Sequence, residues 1–116
     1  MYTYKAKVER VVDGDTIDVV IDLGFKITTY QRIRLQGIDT PETYNVKKNS
    51  LEYKQGMAAK KYVIDRIVSN DYEIILETDK DIGKFGRYIG VIWLSDSDMS
   101  LNDELVKKGH AEIATY

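Results

Sequence analysis

Two aspartates lie where the sequence predicts turns of a β-sheet. Asp15 follows Asp13 and Gly14, between two runs that alternate β-branched or aromatic residues with polar ones, a pattern typical of a hairpin. Asp39 lies at the end of a third such run. Because the second and third strands should pair in a simple meander, we expect the two carboxylates to meet. With a backbone carbonyl and water they would form a hard oxygen site for Ca²⁺ or Mg²⁺, although an isolated aspartate is more often only a turn residue.

A glutamate stands close to the second aspartate. Thr40 and Pro41 separate Glu42 from Asp39, and the proline fixes one backbone angle, so both carboxylates should be held in a tight turn. One carboxylate could bind metal while the other acts on water, as a general base or as a group that orients the nucleophile. The alternative is that Glu42 only caps a turn or decorates a loop.

Two arginines could supply positive charge beside these carboxylates. Arg34 lies on the polar face of the third strand, opposite to Ile33 and Leu35, and its planar guanidinium can donate paired hydrogen bonds to phosphoryl oxygens. Arg87 follows a Lys-Phe-Gly segment at the start of the fifth strand, where glycine permits close backbone approach. The alternatives are a surface ion pair for Arg34 and a solvated hairpin tip for Arg87.

The elements that must position these residues follow from the alternation of apolar and polar residues. The predicted strands cover residues 4–12, 16–23, 27–36, 72–78 and 88–94, and the predicted helices cover residues 51–68 and a short segment after Ser100. Three strands, a helix, two strands and a short C-terminal helix match the OB-fold, a five-stranded barrel that is α+β and mainly β. The surfaces of such barrels commonly accept nucleic acid or saccharide.

Both helices carry start signals and an apolar face. Asn49 with Glu52 resembles a capping box for the longer helix, and Ser100 with Asp103 starts the shorter one, which should stop at Gly109. The apolar residues at roughly helical spacing in the longer helix are Leu51, Met57, Ala58, Ile64, Ile67 and Val68. Those on one side of the shorter helix are Leu101, Leu105 and Val106.

Composition limits the class of protein. With 116 residues, 43% hydrophobic and 31% charged, the chain should form one domain spanning residues 1–116. The absence of cysteine, with His110 as the lone histidine, excludes disulfides, Cys/His nucleophilic catalysis and histidine-based metal clusters. The N-terminus has no continuous apolar run, so we expect no membrane span and a cytosolic or already processed chain. A net charge of -2 argues against a role in coating DNA nonspecifically.

Four segments in the same order and spacing resemble the staphylococcal (micrococcal) nuclease or thermonuclease family. They are Val-Asp-Gly-Asp-Thr at 12–16, Arg-Ile-Arg-Leu at 32–35, Gly-Ile-Asp-Thr-Pro-Glu-Thr at 37–43 and Lys-Phe-Gly-Arg at 84–87. Each segment alone is a weak signal, whereas four in register are a specific one. The resemblance covers nearly the whole chain.

The resemblance implies a Ca²⁺-dependent endonuclease that hydrolyses DNA and RNA phosphodiesters with little sequence preference and leaves 3'-phosphate ends. By this similarity, Asp15 and Asp39 would bind Ca²⁺ with the backbone carbonyl of Thr40. Glu42 would activate or orient the attacking water. DNA and RNA are therefore the expected partners, and we expect a monomer.

The resemblance also implies which residues hold the substrate. Arg34 and Arg87 would hold the phosphate and stabilise the pentacovalent species, and Lys84 would lie close to a neighbouring phosphate. Phe85 stands where the best-known family members have a tyrosine, so a hydroxyl that could bind a terminal phosphate is absent. Tyr116 lies near the position of a base-stacking tyrosine.

The C-terminus departs from the family pattern in two ways. Thr115 matches the position of the stacking tyrosine more closely than Tyr116 does. Fuller family members continue into a third helix that packs on the barrel, so this chain is either a minimal variant or a truncated one.

Two further classes of protein remain as alternatives. The first is a catalytically silent OB-type module that binds nucleic acid or protein, which the negative net charge slightly favours. Such modules typically lack the catalytic carboxylates or arginines that this sequence keeps. The second is a structural calcium site in an interaction domain, which leaves Arg34 and Arg87 unexplained.

Overall fold

The computed structural model describes residues 2–80 and 86–115. In chain order, the elements are β1 (Tyr2–Asp13), β2 (Thr16–Asp22), β3 (Thr28–Leu35), β4 (Ile38–Asp39), α1 (Leu51–Ser69), β5 (Glu73–Thr78), β6 (Tyr88–Trp93), α2 (Leu101–Lys107) and β7 (Glu112–Ile113). The five predicted strands and two predicted helices are all present, with ends that differ from the prediction by at most two residues.

Five strands close into a barrel in the order β1-β2-β3-β6-β5. Neighbouring strands pair antiparallel except β3 and β6, which run parallel and place Arg34 opposite Ile89. The long strand β1 pairs with both β2 and β5, and its register shifts between Val8 and Arg10, where the irregularity lets the strand bend around the barrel. The predicted OB-fold is confirmed.

Aliphatic side chains from every barrel strand fill the interior. The buried members include Val8, Ile17, Val19, Ile33, Leu35, Leu76 and Ile92. Ile33 and Leu35 therefore lie on the inner face of β3, as predicted from period-two alternation.

Helix α1 begins and packs differently from the prediction. Its N-cap is Ser50, whose hydroxyl accepts a hydrogen bond from the amide of Tyr53 at 3.2 Å, so the predicted cap at Asn49 is wrong by one residue. The buried residues of the helix are Gly56, Ala59, Val63 and Ile67. Of the six apolar residues predicted to share a face, only Ile67 is buried, because the helix packs through the face that carries the other three buried residues.

Helix α2 follows the prediction more closely. Ser100 caps it by accepting a hydrogen bond from the amide of Asp103, Leu101 and Leu105 are fully buried, and the backbone turns at Gly109 with φ of 79°. Buried Asn102 attaches the helix to the parallel seam of the barrel. Its amide group donates to the carbonyls of Gln36 and Gly90 and accepts from the amide of Ile92.

A second, two-stranded sheet was not predicted. Strands β4 and β7 pair antiparallel, with Asp39 opposite Glu112. Two residues are too short for any alternation to be recognised in the sequence. Within residues 2–80 and 86–115, neither helix has both the length and the apolarity needed to cross a membrane.

Candidate active site

The β1–β2 turn and the end of β3 bring three charged side chains together. Pairing of Thr16 with Arg34 puts Asp15 beside the end of β3, and the amide of Leu35 donates to the Asp15 carbonyl at 2.8 Å. The guanidinium of Arg34 then reaches two carboxylates with the same nitrogen, Nη2, which lies 3.3 Å from Oδ2 of Asp15 and 2.8 Å from Oδ1 of Asp39. Both aspartate carboxylates therefore contact the guanidinium of Arg34.

Arg34 is buried although it lies on the polar face of its strand. Its relative exposure is 6%, and its Nη1 donates to the Leu35 carbonyl at 3.0 Å. Asp15 is 9% exposed, whereas the side chain of Asp39 is 52% exposed. The interpretation of Arg34 as an ordinary surface ion pair is therefore wrong, because the surrounding turns cover it and its orientation is set by several contacts.

Asp15 also anchors the segment that follows β4. Its Oδ2 accepts a hydrogen bond from the backbone amide of Thr40 at 3.1 Å, and its Oδ1 accepts one from the hydroxyl of Thr16 at 3.1 Å. Thr40 is itself buried. The structure thus brings together Asp15, Asp39 and Thr40, the three residues for which the sequence suggested metal binding.

Glu42 lies within electrostatic reach of Asp13, Asp15 and Asp39, and these four residues are called the acidic cluster below. The residue as a whole is solvent-exposed, yet partial desolvation of its carboxyl raises its pKa above the usual value, and the negative charges of Asp13, Asp15 and Asp39 raise it further. These charges can act on Glu42 only because the β1–β2 turn and the segment after β4 are neighbours.

Asp13 belongs to one of the four sequence segments above but was not predicted as a site residue. Its carboxylate accepts a short hydrogen bond from the hydroxyl of Thr43. This bond joins the end of β1 to the residue after Glu42. Asp13 therefore helps to position the Glu42 backbone, a role that depends on a partner 30 residues away in the chain.

Two glycines let helix α1 pack closely against the β1–β2 turn and the turn at Pro41. Gly56 lies in the helix, and Gly14 lies in the β1–β2 turn. A Cβ atom on Gly56 would lie 2.6 Å from the Pro41 carbonyl oxygen and 2.7 Å from the Thr43 methyl. A Cβ atom on Gly14 would lie 2.9 Å from the Cβ of Ala59. The sequence signal for this packing is Gly56, a glycine inside a predicted helix. Glycine there is unfavourable by about 1 kcal/mol relative to alanine and often has a packing reason.

The remaining predicted residues lie in or near the β5–β6 connection. Arg87 is half-buried and stands two residues before Ile89, the β6 residue that pairs with Arg34. This register puts the start of β6 beside the end of β3. Lys84, Phe85 and Tyr116, predicted as substrate-binding residues, lie outside the described residues.

The donor groups suit a hard cation. Within the described ranges, no group of three or more His, Cys, Asp or Glu side chains is arranged to hold a metal ion. A cation here would therefore depend on two carboxylates, those of Asp15 and Asp39, completed by backbone carbonyl and water. Oxygen ligands of this kind are the ones that Ca²⁺ and Mg²⁺ take, so the residues present fit such an ion.

Fold and site together define a class: an OB-fold barrel with a buried arginine between two aspartates at the end of its third strand. Comparison with known proteins makes the assignment specific. A family model described as "Staphylococcal nuclease homologue" matches residues 32–116. The chain therefore belongs to the staphylococcal nuclease family.

Individual relatives agree with this assignment. A protein named Thermonuclease from Staphylococcus intermedius is 37% identical over 110 residues, which cover 94% of this chain and 59% of that protein. Thermonuclease from Staphylococcus hyicus is 36% identical over 111 residues, covering 95% of this chain and 59% of that protein. Endonuclease YhcR of Bacillus subtilis (strain 168) is 32% identical over 111 residues, covering 93% of this chain and 9% of that protein. The chain thus spans 59% of the length of the two thermonucleases.

Proposed function

We propose that this chain is a metal-dependent nuclease that hydrolyses phosphodiester bonds of DNA and RNA and uses Ca²⁺. The observation that carries the proposal is the buried guanidinium of Arg34, held by Asp15 and Asp39 at the end of β3. Family membership and the names of the relatives support the same reaction class.

Arg34 has the chemistry to hold a phosphate. Its Leu35 and Asp39 contacts fix the guanidinium plane, so little side-chain freedom is lost when a phosphodiester binds. The charge of a guanidinium persists at any relevant pH, and it stabilises the equatorial oxygens as negative charge develops on them. Arg87, from the start of β6, would contact the same phosphate from its other side.

Glu42 would act on the attacking water. Its segment is attached to the β1–β2 turn through Thr43 and Thr40, so the carboxyl is held near the aspartates while the residue stays exposed. In this position it either accepts the proton of the water or orients the water for in-line attack.

Asp15 and Asp39 would hold the cation with the backbone carbonyl of Thr40. When bound, Ca²⁺ supplies positive charge that polarises the phosphoryl group. Asp15, being buried and hydrogen-bonded to Thr40, would form the rigid side of this site. Asp39, being half exposed, would form the side that faces substrate and solvent.

Cleavage of a labelled single-stranded oligonucleotide, in Ca²⁺ and in chelator, tests the proposal. We expect fragments only with Ca²⁺, and a decrease in turnover of at least about a hundredfold for Glu42→Gln. Glu73→Gln is the matched control, since Glu73 is an exposed carboxylate at the start of β5. Binding without cleavage by the wild-type chain would instead support an OB-type binding module, and undiminished cleavage by Glu42→Gln would contradict the mechanism.

A further inference from the structure

An aromatic and basic patch lies on the barrel outside the acidic cluster. It consists of Tyr2, Tyr4, Lys80 and Tyr88 and is called the tyrosine patch below. The ammonium of Lys80 lies 4.1 Å from the ring centroid of Tyr2 and 5.6 Å from that of Tyr4. Tyr2 is 54% exposed, so the outer ring is accessible to a ligand.

The barrel strands build this patch from residues distant in the chain. In the β1–β5 pair, Tyr2 stands opposite Thr78 and Tyr4 opposite Leu76, so both rings project from the same face of β1. Tyr4 packs against the core at the inner end of the patch, as does Tyr88 from β6. The rings therefore rest on rigid elements.

Lys80 is held in place by its backbone. Its amide donates to the hydroxyl of Thr78 at 2.9 Å, and that hydroxyl donates to the Ile89 carbonyl at 2.7 Å. Its φ of 64° lies in the left-handed region, which is uncommon for lysine. A hydrogen bond with Tyr4 is the largest cause raising the pKa of the Lys80 ammonium above its usual value, and the group therefore stays charged.

The tyrosine patch and the proposed active site both include residues at the start of β6. Tyr88 follows Arg87 directly in the chain, and it pairs with Ile33, the residue before Arg34. A strand whose phosphate lies between the two arginines would have to cross the ends of β6 and β5 to reach Tyr2. The combination of stacking surfaces and one cation matches a nucleotide, which has a base with a π-face and a negatively charged phosphate.

We propose that the tyrosine patch is a subsite for an unpaired nucleotide of the strand bound at the active site, with its base on Tyr2 and its phosphate near Lys80. This inference rests on the proposed function for the identity of the ligand. A neutral saccharide would use the rings but not the cation, so the Lys80 ammonium favours the nucleotide.

Fluorescence anisotropy with a fluorescein-labelled twelve-residue oligothymidylate tests this subsite. The full chain is kept in chelator, and the oligonucleotide is checked for intact length afterwards. We expect Tyr2→Leu and Lys80→Met each to weaken binding about tenfold, because one stacked base or one phosphate contact is lost. The slope of log Kd against log salt should fall by about 0.7 for Lys80→Met and stay unchanged for Tyr2→Leu.

Two matched variants control for exposure and backbone conformation. Tyr30 is 58% exposed on β3, and Lys26 has the same φ of 64° as Lys80. Tyr30→Leu and Lys26→Met should keep the wild-type Kd. Thermal unfolding followed by circular dichroism checks that all four variants are folded. Tyr2 and Lys80 are exposed, so we expect Tyr2→Leu and Lys80→Met to fold.

The outcomes separate this inference from the proposed function. Wild-type binding that Tyr2→Leu and Lys80→Met leave unchanged overturns the subsite, whether or not the chain cleaves DNA. Weakened binding by those two variants supports the subsite even if Ca²⁺ produces no cleavage, a result that would overturn only the nuclease activity. Loss of neutral-oligosaccharide binding in Tyr2→Leu, with oligothymidylate binding unchanged in that variant, would overturn the nucleotide assignment.

Discussion

Gly56 lies against the backbone of Pro41 so closely that a Cβ atom would stand 2.6 Å from the Pro41 carbonyl oxygen. This contact joins the second turn of α1 to the turn between Asp39 and Glu42. The helix therefore limits where the backbone around Glu42 can lie.

Gly56→Ala should lower nuclease turnover by about a hundredfold, because a displacement of about 1 Å at the reacting groups has an effect of this size. Alanine normally stabilises a helix interior relative to glycine by about 1 kcal/mol, and here the clash with Pro41 should offset that gain. Steady-state cleavage and thermal unfolding measure the two effects. Gln55→Ala, at an exposed neighbouring position on α1, should retain activity; wild-type turnover in Gly56→Ala would show that α1 does not position Glu42.

Arg34→Met should reduce both stability and turnover. Removal of the guanidinium leaves the carboxylate of Asp15 buried without its cation, which we expect to lower the free energy of unfolding by about 3 kcal/mol. Arg34→Lys keeps the charge but loses the planar fork, so its turnover should still fall by about a hundredfold. Urea unfolding and cleavage rates measure these changes.

Arg32→Met is the matched control for that pair of variants. Arg32 lies two residues away on the same strand and pairs with Asp18 at 2.7 Å, but its side chain is 47% exposed. Its removal leaves the buried carboxylate of Asp18 without its cation, so it should cost about as much stability as removal of Arg34 but should leave turnover unchanged. An equal loss of turnover in the two methionine variants would mean that the effect comes from β3 as a whole.

Calcium should stabilise the folded chain without any substrate present. An ion that binds only the folded state at a concentration of 100 times its Kd adds about 2.7 kcal/mol, so the thermal midpoint should rise with Ca²⁺ and return with chelator. Asp39→Asn should abolish most of this rise, whereas Asp98→Asn, an exposed aspartate in the β6–α2 connection, should retain it. A Ca²⁺-induced rise of the same size in Asp39→Asn would exclude Asp39 as a ligand.

The ion pair between Arg66 and Asp96 should make stability depend on pH in the acidic range. Arg66 makes paired contacts of 2.7 and 2.8 Å with this carboxylate, which lower the pKa of Asp96 from 3.8 to about 2. A carboxyl whose pKa is lower in the folded state stabilises the fold above its unfolded pKa, and that contribution is lost as the pH falls through the folded pKa.

The difference in urea midpoint between the wild type and Asp96→Asn should therefore be constant near neutral pH. It should shrink as the pH falls from about 4 to about 2, the interval between the two pKa values. In an Arg66→Met background, Asp96→Asn should produce no difference of this kind. A gap that persists unchanged at pH 2 would show that the pair does not stabilise the fold through charge.

Local sequence patterns were sufficient to predict the barrel strands, the helices and part of the candidate site. Alternation along β3 correctly predicted the inner faces of Ile33 and Leu35, and the Asp-Gly pair correctly predicted the β1–β2 hairpin beside Asp15. The meander then implied that Asp15 and Asp39 would meet, which the shared contact with Arg34 demonstrates. These features depend on residues adjacent in the chain or on neighbouring strands.

Features that depend on distant contacts were missed or wrong. The apolar face chosen for α1 was wrong because Met57 and Ile64 are at helical spacing yet point to solvent. The β4–β7 pair and the bond from Thr43 to Asp13 join segments whose own sequences carry no signal of a partner. A periodic pattern identifies an amphipathic element, but it does not say which surface will cover it.

The sequence by itself determined the order of the five barrel strands and the two helices and the identity of the carboxylates and arginines near the end of β3. These follow from backbone preferences and from side-chain alternation, which are local properties of the chain. Only the tertiary structure decided that Arg34 is buried, that α1 packs through Gly56 and that Lys80 lies over Tyr2. The physical reason is that burial and close packing are properties of two surfaces in contact, and the chain brings those surfaces together only when the barrel closes.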